Sequence, residues 1–183
     1  MIKSKLFGHR VYLAGAMDRV SDRGRGWRDS ITPMLKALGL SIINPLNKPT
    51  ETGLENKETA KYKYKLKANK NYDELSRIMK EIRAVDLRMV DISDFLIVNL
   101  DIATHPCGTY EEIFWANRQK KPILIKMMQG KEHTPDWIFG TVPHKFIFDS
   151  WNDMFYYIKR INTGMDAETL NRWCFLNYES KNQ

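Results

Sequence analysis

The sequence predicts an α/β fold in which helices flank a doubly wound parallel sheet of five strands. Three observations predict it: short apolar runs recur along the chain, apolar residues at helical spacing follow most of them, and Gly, Pro or Asn closes several segments. Strands that alternate with helices pair in parallel through right-handed crossovers. We therefore expect one α/β domain over residues 1–162 and a C-terminal tail over residues 163–183.

Each predicted strand is a short apolar run bounded by polar or turn residues. Gly15 closes the first run, and Asn44 and Pro45 end the second. The third run is apolar on both faces apart from Asn99, which indicates a strand buried on both sides of the sheet. The five runs are Val11–Ala14, Leu40–Ile43, Phe95–Leu100, Pro122–Lys126 and Lys145–Phe148.

Apolar residues at helical spacing predict the helices between these strands. They cover residues 27–38, with Gly39 as the stop, and then residues 72–89, 109–117 and 151–161. Thr109 is the expected cap of the third of these helices. Residues 47–71 are polar and lysine-rich, so we interpret them as an excursion from the core in which the alternation of Lys61–Lys67 predicts a short ribbon.

Composition describes a chain that can fold on its own. With 183 residues and 43% hydrophobic content, it can bury a full core without metals or disulfides. Cys107 and Cys174 are the two cysteines, which favours a reducing, cytoplasmic location. Since no apolar run approaches the roughly 20 residues of a membrane span, and none near the N-terminus resembles a signal peptide, we expect no membrane partner. The aromatic tail, with Trp173, Phe175 and Tyr178, is expected to pack on the body or on a neighbouring subunit.

The net charge of +7 indicates anionic partners. Lysines crowd residues 57–70, and Arg19, Arg23, Arg25 and Arg28 crowd the first loop. Nucleotides and nucleic acid both fit this charge, although a run of lysines is more often a solvated surface.

The crossing from the third strand to its helix carries candidate chemistry. In open α/β sheets, ligands bind beyond the carboxyl ends of the strands, so Glu111 or Glu112, one turn into the helix, faces the expected crevice. A carboxylate in that place can act as a nucleophile or a base. The alternative is a capping box in which the glutamate pairs with Thr109. The histidines show no metal-ligand spacing and there is no dinucleotide or phosphate-loop motif, so we expect no metal and no cofactor.

Three segments in this order resemble the nucleoside 2′-deoxyribosyltransferase family, which includes related nucleoside-monophosphate N-glycosidases. They are Val11–Met17, Val85–Asp94 and Gly108–Glu112. The resemblance implies a flavodoxin-like sheet and homo-oligomers whose active sites are completed by a neighbouring chain. It also implies that Glu112 is the nucleophile, that Tyr12 orients it, and that Asp86 contacts the nucleobase and assists its departure.

Elementary chemistry agrees with these implied roles. Cleavage of an N-glycosidic bond develops positive charge on the sugar and negative charge on the base, so the site needs a carboxylate beneath the sugar and a proton donor near the base. Glu112 and Asp86 divide those tasks. Without the resemblance, Asp86 is more simply interpreted as a helix-surface residue paired with Arg83 or Arg88.

Further residues are candidates for substrate contacts. Arg19 and Arg23 follow the first strand, where their guanidinium groups can hold a 5′-phosphate. Family members commonly carry an aspartate two residues before the motif glycine, whereas this chain has Pro106, so Asp101 is the candidate substitute. The predicted substrate-binding residues are Gly15, Met17, Arg19, Arg23, Asp101, Gly108 and Thr109.

Three function classes stay open. The leading class is an enzyme that cleaves the N-glycosidic bond of a nucleoside or its 5′-monophosphate through a Glu112 ester, with transfer to another base or to water. The second is a nucleic-acid-binding protein that uses the lysines of residues 57–70 with Tyr62, Tyr64 and Tyr72. The third is a catalytically silent nucleotide-binding protein on the same fold, to which Pro106 lends weight.

Overall fold

Five parallel strands form the centre of the molecule in the order β2-β1-β3-β4-β5. The computed structural model describes residues 4–18, 20–48, 55–164 and 171–176. Its strands are β1 (Arg10–Gly15), β2 (Ser41–Ile43), β3 (Phe95–Leu100), β4 (Ile123–Met127) and β5 (Ile147–Phe148). Every neighbouring pair is parallel, so the predicted flavodoxin-like, doubly wound sheet is confirmed.

Helices cover both faces of this sheet. They are α1 (Arg25–Ala37), α2 (Lys57–Ala68), α3 (Tyr72–Ile92), α4 (Cys107–Arg118), α5 (Asp136–Phe139) and α6 (Trp151–Thr163). The helices α3 and α4 pack on each other and on β1, whereas α6 packs on β4 and β5. Trp27 of α1 stacks on Trp151 of α6 with 5.6 Å between ring centroids, which places these two helices together on the opposite face. No helix among the described residues is long and apolar enough to cross a membrane.

The predicted ribbon in the lysine-rich segment is wrong, because residues 57–68 form the helix α2. Asn56 begins it with a capping box: its side chain accepts a hydrogen bond from the Thr59 backbone N–H, and the Thr59 side chain accepts one from the Asn56 backbone N–H. Leu66 then packs with Ile78 and Ile82 of α3. The cap and this apolar contact outweigh the two-residue alternation of lysine and tyrosine.

The start of α4 also differs from the prediction. The helix begins at Cys107 after Pro106, and no side chain caps it. Thr109 is buried within the first turn, so it is not the cap. Glu112 therefore lies in the second turn of the helix, and the capping-box interpretation of this glutamate is wrong.

Residues 171–176 lie against the body of the domain. Trp173 is fully buried, its ring centroid is 4.9 Å from that of Phe95, and its indole N–H donates to the Tyr157 hydroxyl at 2.8 Å. Tyr178, the last aromatic residue of the predicted tail, lies outside the described residues.

Candidate active site

An open cavity of about 420 Å³ lies beyond the carboxyl end of β1, between α3 and the start of α4. Its volume is within the range of roughly 300–1,000 Å³ that small-molecule sites occupy. The lining residues come from the loop after β1, the segment before α2, one face of α3, and the turn that leads into α4. They are Gly15, Ala16, Met17, Asp18, Glu55, Ser76, Met79, Lys80, Ile82, Arg83, Asp86, Leu87, residues 104–109, Glu111 and Glu112.

Glu112 is held at the floor of this cavity by Tyr12. The Tyr12 hydroxyl donates a hydrogen bond to Glu112 Oε1 at 2.6 Å, and the tyrosine itself is fully buried in β1. Burial raises the pKa of Glu112 to about 8; the Tyr12 hydrogen bond opposes this increase, and the negative charge of Asp86 adds to it. The hydrogen bond thus favours the ionised glutamate in a place that otherwise favours the neutral acid.

Asp86 enters the same cavity from α3. Its Oδ1 atom is 2.8 Å from the ammonium group of Lys48. Burial raises the pKa of Asp86 to about 6, Lys48 opposes the increase, and Glu55 adds to it. Two carboxyl groups with different pKa values can divide the roles of acid and base. The ion pair with Lys48 also replaces the surface pairing of Asp86 with Arg83 that the sequence suggested.

Glu111 and Glu112 are adjacent in sequence but occupy different environments. Glu111 lies at the rim, where both of its oxygens accept hydrogen bonds at 2.8 Å from Arg83 Nε. Its side chain is 39% exposed, and so it keeps contact with water. The structure therefore distinguishes the inner glutamate, Glu112, from the outer one.

Arg28 shapes the end of β1 from below. This arginine is fully buried, and its guanidinium group donates to the carbonyl oxygens of Leu13, Gly15 and Gly24 at 3.0 to 3.2 Å. A Cβ atom at Gly15 would lie 3.0 Å from both the Asn99 carbonyl oxygen and the Trp27 ring, so glycine lets the strand end lie close to both. Arg28 thus binds backbone at this site, and its guanidinium is not directed at a phosphate.

Several predicted site residues line the cavity together and others do not. Gly15, Met17, Gly108 and Thr109 lie in its wall, and Glu112 and Asp86 lie in it above Tyr12. Arg23 and Asp101 lie outside the wall that the described residues form. Arg19 lies outside the described residues.

The two predicted residues outside the wall have other surroundings. Asp101 Oδ1 accepts hydrogen bonds from Gln129 Nε2 at 2.6 Å and from the Ala103 backbone N–H at 3.0 Å, so this carboxylate supports the turn after β3. Within the described part of the chain, Arg23 Nη1 is buried without a hydrogen-bond partner.

Sequence reasoning missed Lys48 and Glu55, both of which lie close to Asp86. A signal for Lys48 was present, because it follows β2 at the sheet edge where ligands gather. Glu55 gave no such signal, because it lies in no predicted strand or helix and the sequence does not show that it pairs with Lys48. Across the described residues, no group of three His, Cys, Asp or Glu side chains is arranged to hold a metal ion.

Comparison with known proteins shows a shared fold. No family model and no curated protein matches this chain. A solved 2-deoxyribosyltransferase from the psychrotolerant bacterium Bacillus psychrosaccharolyticus matches with a TM-score of 0.54 and 17% sequence identity, over 81% of this chain and 91% of that one. At this identity the match establishes the α/β architecture.

Two further solved structures match less well. A 2-desoxiribosyltransferase from Leishmania mexicana gives a TM-score of 0.49 at 15% identity, over 82% of this chain and 97% of that one. A CMP N-glycosidase from Clostridium botulinum gives a TM-score of 0.46 at 16% identity, over 83% and 98%.

Proposed function

We propose that this protein is an enzyme that cleaves the N-glycosidic bond of a nucleoside or nucleoside 5′-monophosphate through a covalent ester between the sugar and Glu112. One observation carries the proposal: the 2.6 Å hydrogen bond from Tyr12 to Glu112 lies in a cavity that Asp86 also enters. The likeness in fold to a deoxyribosyltransferase supports the same class of reaction.

The first step breaks the bond to the base. The Tyr12 hydroxyl occupies Glu112 Oε1, so Oε2 attacks the anomeric carbon of the sugar. As the carbon–oxygen bond forms, the carbon–nitrogen bond breaks and its electron pair goes to the base. Asp86 delivers its proton to the base nitrogen, so the base leaves neutral.

The second step restores the enzyme. Water or an acceptor base attacks the anomeric carbon, the ester bond breaks, and the electron pair returns to Glu112 as its carboxylate. Asp86, now ionised, takes the proton that the incoming nucleophile loses. Both displacements invert the anomeric carbon, and together they retain its configuration.

The reactive state of the site contains one proton on the two carboxyl groups. Glu112 must be ionised to attack, and Asp86 must be protonated to donate. Since the pKa of Glu112 is the higher of the two, at about 8 against about 6, the proton resides on Glu112 in most molecules and on Asp86 in a minority. Only that minority form reacts. The hydrogen bond from Tyr12 increases its population, because it stabilises the ionised form of Glu112.

A substrate panel tests the proposal. Nucleosides and nucleoside monophosphates are incubated with the protein, with and without a free acceptor base, and chromatography measures released base and new nucleoside. We expect wild-type turnover, loss of turnover in Glu112→Ala, and a mild effect in Glu111→Gln, the matched control at the rim. Binding without turnover of any panel member would favour the silent nucleotide-binding class, and retained turnover in Glu112→Ala would overturn the role of Glu112.

The cavity directs the search for a phosphate contact to α3. Lys80 and Arg83 lie in the wall, and Glu111 already pairs with Arg83, so Lys80 is the better-placed cation. A charge-assisted contact contributes about 1.5–3 kcal/mol, or roughly a ten- to hundredfold change in catalytic efficiency. If Lys80 binds a 5′-phosphate, Lys80→Ala lowers efficiency on the monophosphate and leaves the nucleoside nearly unaffected. The sequence-based assignment predicts the same pattern for Arg23→Ala.

Nucleic-acid binding is the second candidate, and exposed aromatic residues on α2 favour it. Tyr62 is 46% and Tyr64 75% exposed, and lysines surround both. Lysine charge and tyrosine stacking are what single strands bind. Submicromolar binding of single-stranded DNA at physiological salt, lost in Tyr64→Ala with Lys61→Ala, would support this candidate.

We also propose that the protein forms a homo-oligomer. Trp137 and Phe139 of α5 are 77% and 43% exposed, and Met128 just after β4 is 48% exposed. All three residues belong to the segment between β4 and β5, and several large exposed apolar side chains in one segment favour a subunit interface. Light scattering on the wild-type protein tests this, and a monomer at working concentration would contradict it.

A further inference from the structure

A row of alternating charges runs from Asp86 to the first loop. Lys48 is 2.8 Å from Asp86 Oδ1 and 3.2 Å from Glu55 Oε2. Lys63 of α2 is 3.6 Å from Glu55 Oε1 and 3.3 Å from Asp18 Oδ1. The row thus connects the candidate proton donor with α2 and with the loop after β1.

The inner part of this row is shielded from water. The side chain of Lys48 is 1% exposed, and those of Glu55 and Lys63 are each 9% exposed. A buried ammonium group requires close carboxylates, since an unpaired buried charge is strongly unfavourable. Lys48 therefore depends on Asp86 and Glu55 as much as they depend on it.

The local backbone structure fixes the position of Lys48. A single turn of 3₁₀ helix, Pro45–Asn47, follows β2, and the Asn44 side chain caps it by accepting from the Leu46 backbone N–H at 3.0 Å. Lys48 is the next residue, so its position is set by the end of a sheet strand. The Asp86 oxygen that it faces, Oδ1, is buried, which leaves the other oxygen of that carboxyl for the cavity.

We propose that Lys48 is a positioning residue for Asp86, and that its ammonium keeps the Asp86–Glu112 pair from holding two protons at neutral pH. Glu55 and Lys63 hold Lys48 in place. The inference rests on the proposed function, because a second proton would leave Glu112 neutral and non-nucleophilic whenever Asp86 holds the proton that it donates. Lys48 is thus a determinant of the pH range in which the enzyme works.

The charges around Asp86 support this role. Lys48 approaches it from the loop after β2, Glu55 from the segment before α2 and Arg28 from α1. Glu112 of α4 also interacts with the charge of Asp86. Lys48 and Arg28 lower the pKa of Asp86, and burial and Glu55 raise it. The charge of Asp86 in turn raises the pKa of Glu112. Of the two cations, Lys48 is the one in direct contact, so its removal has the larger effect.

The pH dependence of activity tests the inference. In Lys48→Met, the Asp86 carboxyl group loses an adjacent positive charge, so the acid limb of the rate profile moves to higher pH. The activity at pH 6 relative to that at pH 8 is expected to fall about tenfold or more. The ratio removes any uniform loss of rate. Lys48→Gln keeps hydrogen-bonding groups without the charge and shows the same change. Lys36→Met, which replaces an exposed lysine in the last turn of α1, is the control and keeps the wild-type ratio.

A second readout does not depend on activity. Carbon-13 NMR of labelled aspartate, assigned with Asp86→Asn, follows the titration of the Asp86 carboxyl group, which is expected at higher pH in Lys48→Met and Lys48→Gln than in the wild-type. If the resonance moves but the protein cleaves no member of the substrate panel, the proposed function fails and the pairing stands. If the protein is active and both variants keep the wild-type limb and titration, the inference about Lys48 is overturned.

Discussion

Replacement of Tyr12 by Phe tests how the site makes Glu112 nucleophilic. The variant removes the hydroxyl that donates to Glu112 Oε1 at 2.6 Å and keeps the buried ring. A hydrogen bond to a charged group contributes about 1.5–3 kcal/mol. Since about 1.4 kcal/mol is a factor of ten in rate, kcat/KM is expected to fall about ten- to a hundredfold.

The same substitution has a predicted direction on pH dependence. The hydroxyl stabilises the ionised carboxylate, so its loss raises the pKa of Glu112 further above its ordinary value. The proton then resides on Glu112 in more of the molecules, and the alkaline limb of the rate profile moves to higher pH. A smaller rate and a displaced limb are therefore expected together.

The assay is base release measured by chromatography across the pH range, with thermal unfolding as the check on folding. Tyr110→Phe is the matched control, because it removes a hydroxyl from α4 outside the cavity wall. A kcat/KM of Tyr12→Phe within about twofold of the wild-type value, in a folded protein, would refute the orienting role of this hydroxyl.

Two further predictions concern protons. The wild-type kcat/KM is expected to show a bell-shaped pH dependence with limbs near about 6 and about 8, because one proton must remain on the two carboxyl groups; Asp86→Asn, which cannot lose a proton, should have a low rate without the alkaline limb. Glu112→Gln is expected to be more stable than the wild-type above about pH 8, by about 1 kcal/mol or more, in denaturant unfolding at several pH values. The sign follows because a folded-state pKa raised from 4.5 to about 8 makes the wild-type lose stability as pH rises between those values, whereas Gln has no proton to lose. Equal stability of the two proteins at high pH would contradict the buried environment of Glu112.

Local sequence predicted the centre of this fold well. The structure places β3 at Phe95–Leu100, the limits predicted from the apolar run. All six of its residues are buried, so both faces of the strand require apolar residues and the sequence is one continuous apolar run. The polar residues on either side of the run mark the ends of the strand. At β5, by contrast, Pro143 starts a turn over His144–Phe146, and the strand contains only Ile147 and Phe148.

The lysine-rich segment shows why other parts of the fold were harder to predict from the sequence. Its alternation of lysine and tyrosine has the period of a strand, yet α2 forms because Asn56 and Thr59 cap it and Leu66 packs on α3. Lys63, one of the lysines expected to be solvated, is buried against Glu55. Such contacts between distant segments leave no periodic trace in the sequence.

The site residues that could be predicted from the sequence are those on strands and helices that end at one edge of the sheet. Tyr12, Asp86 and Glu112 lie together because β1, α3 and α4 meet at one end of the sheet. Charge alone was a weaker guide, since Arg23 lies outside the wall and the cations near the cavity come from α3 and from the loop after β2. The position of a side chain on a strand or helix follows from the regular geometry of that element, whereas the position of a side chain on an irregular loop does not.

The anomeric configuration of a product formed with methanol tests the central claim most directly. Methanol competes with water and acceptor base for the sugar, and the methyl glycoside formed does not interconvert between anomers, so proton NMR reads its configuration whether the enzyme is a hydrolase or a transferase. A double displacement through Glu112 predicts the β-anomer from a β-nucleoside, with retention of configuration. The α-anomer would show a single direct displacement and would contradict the covalent role of Glu112.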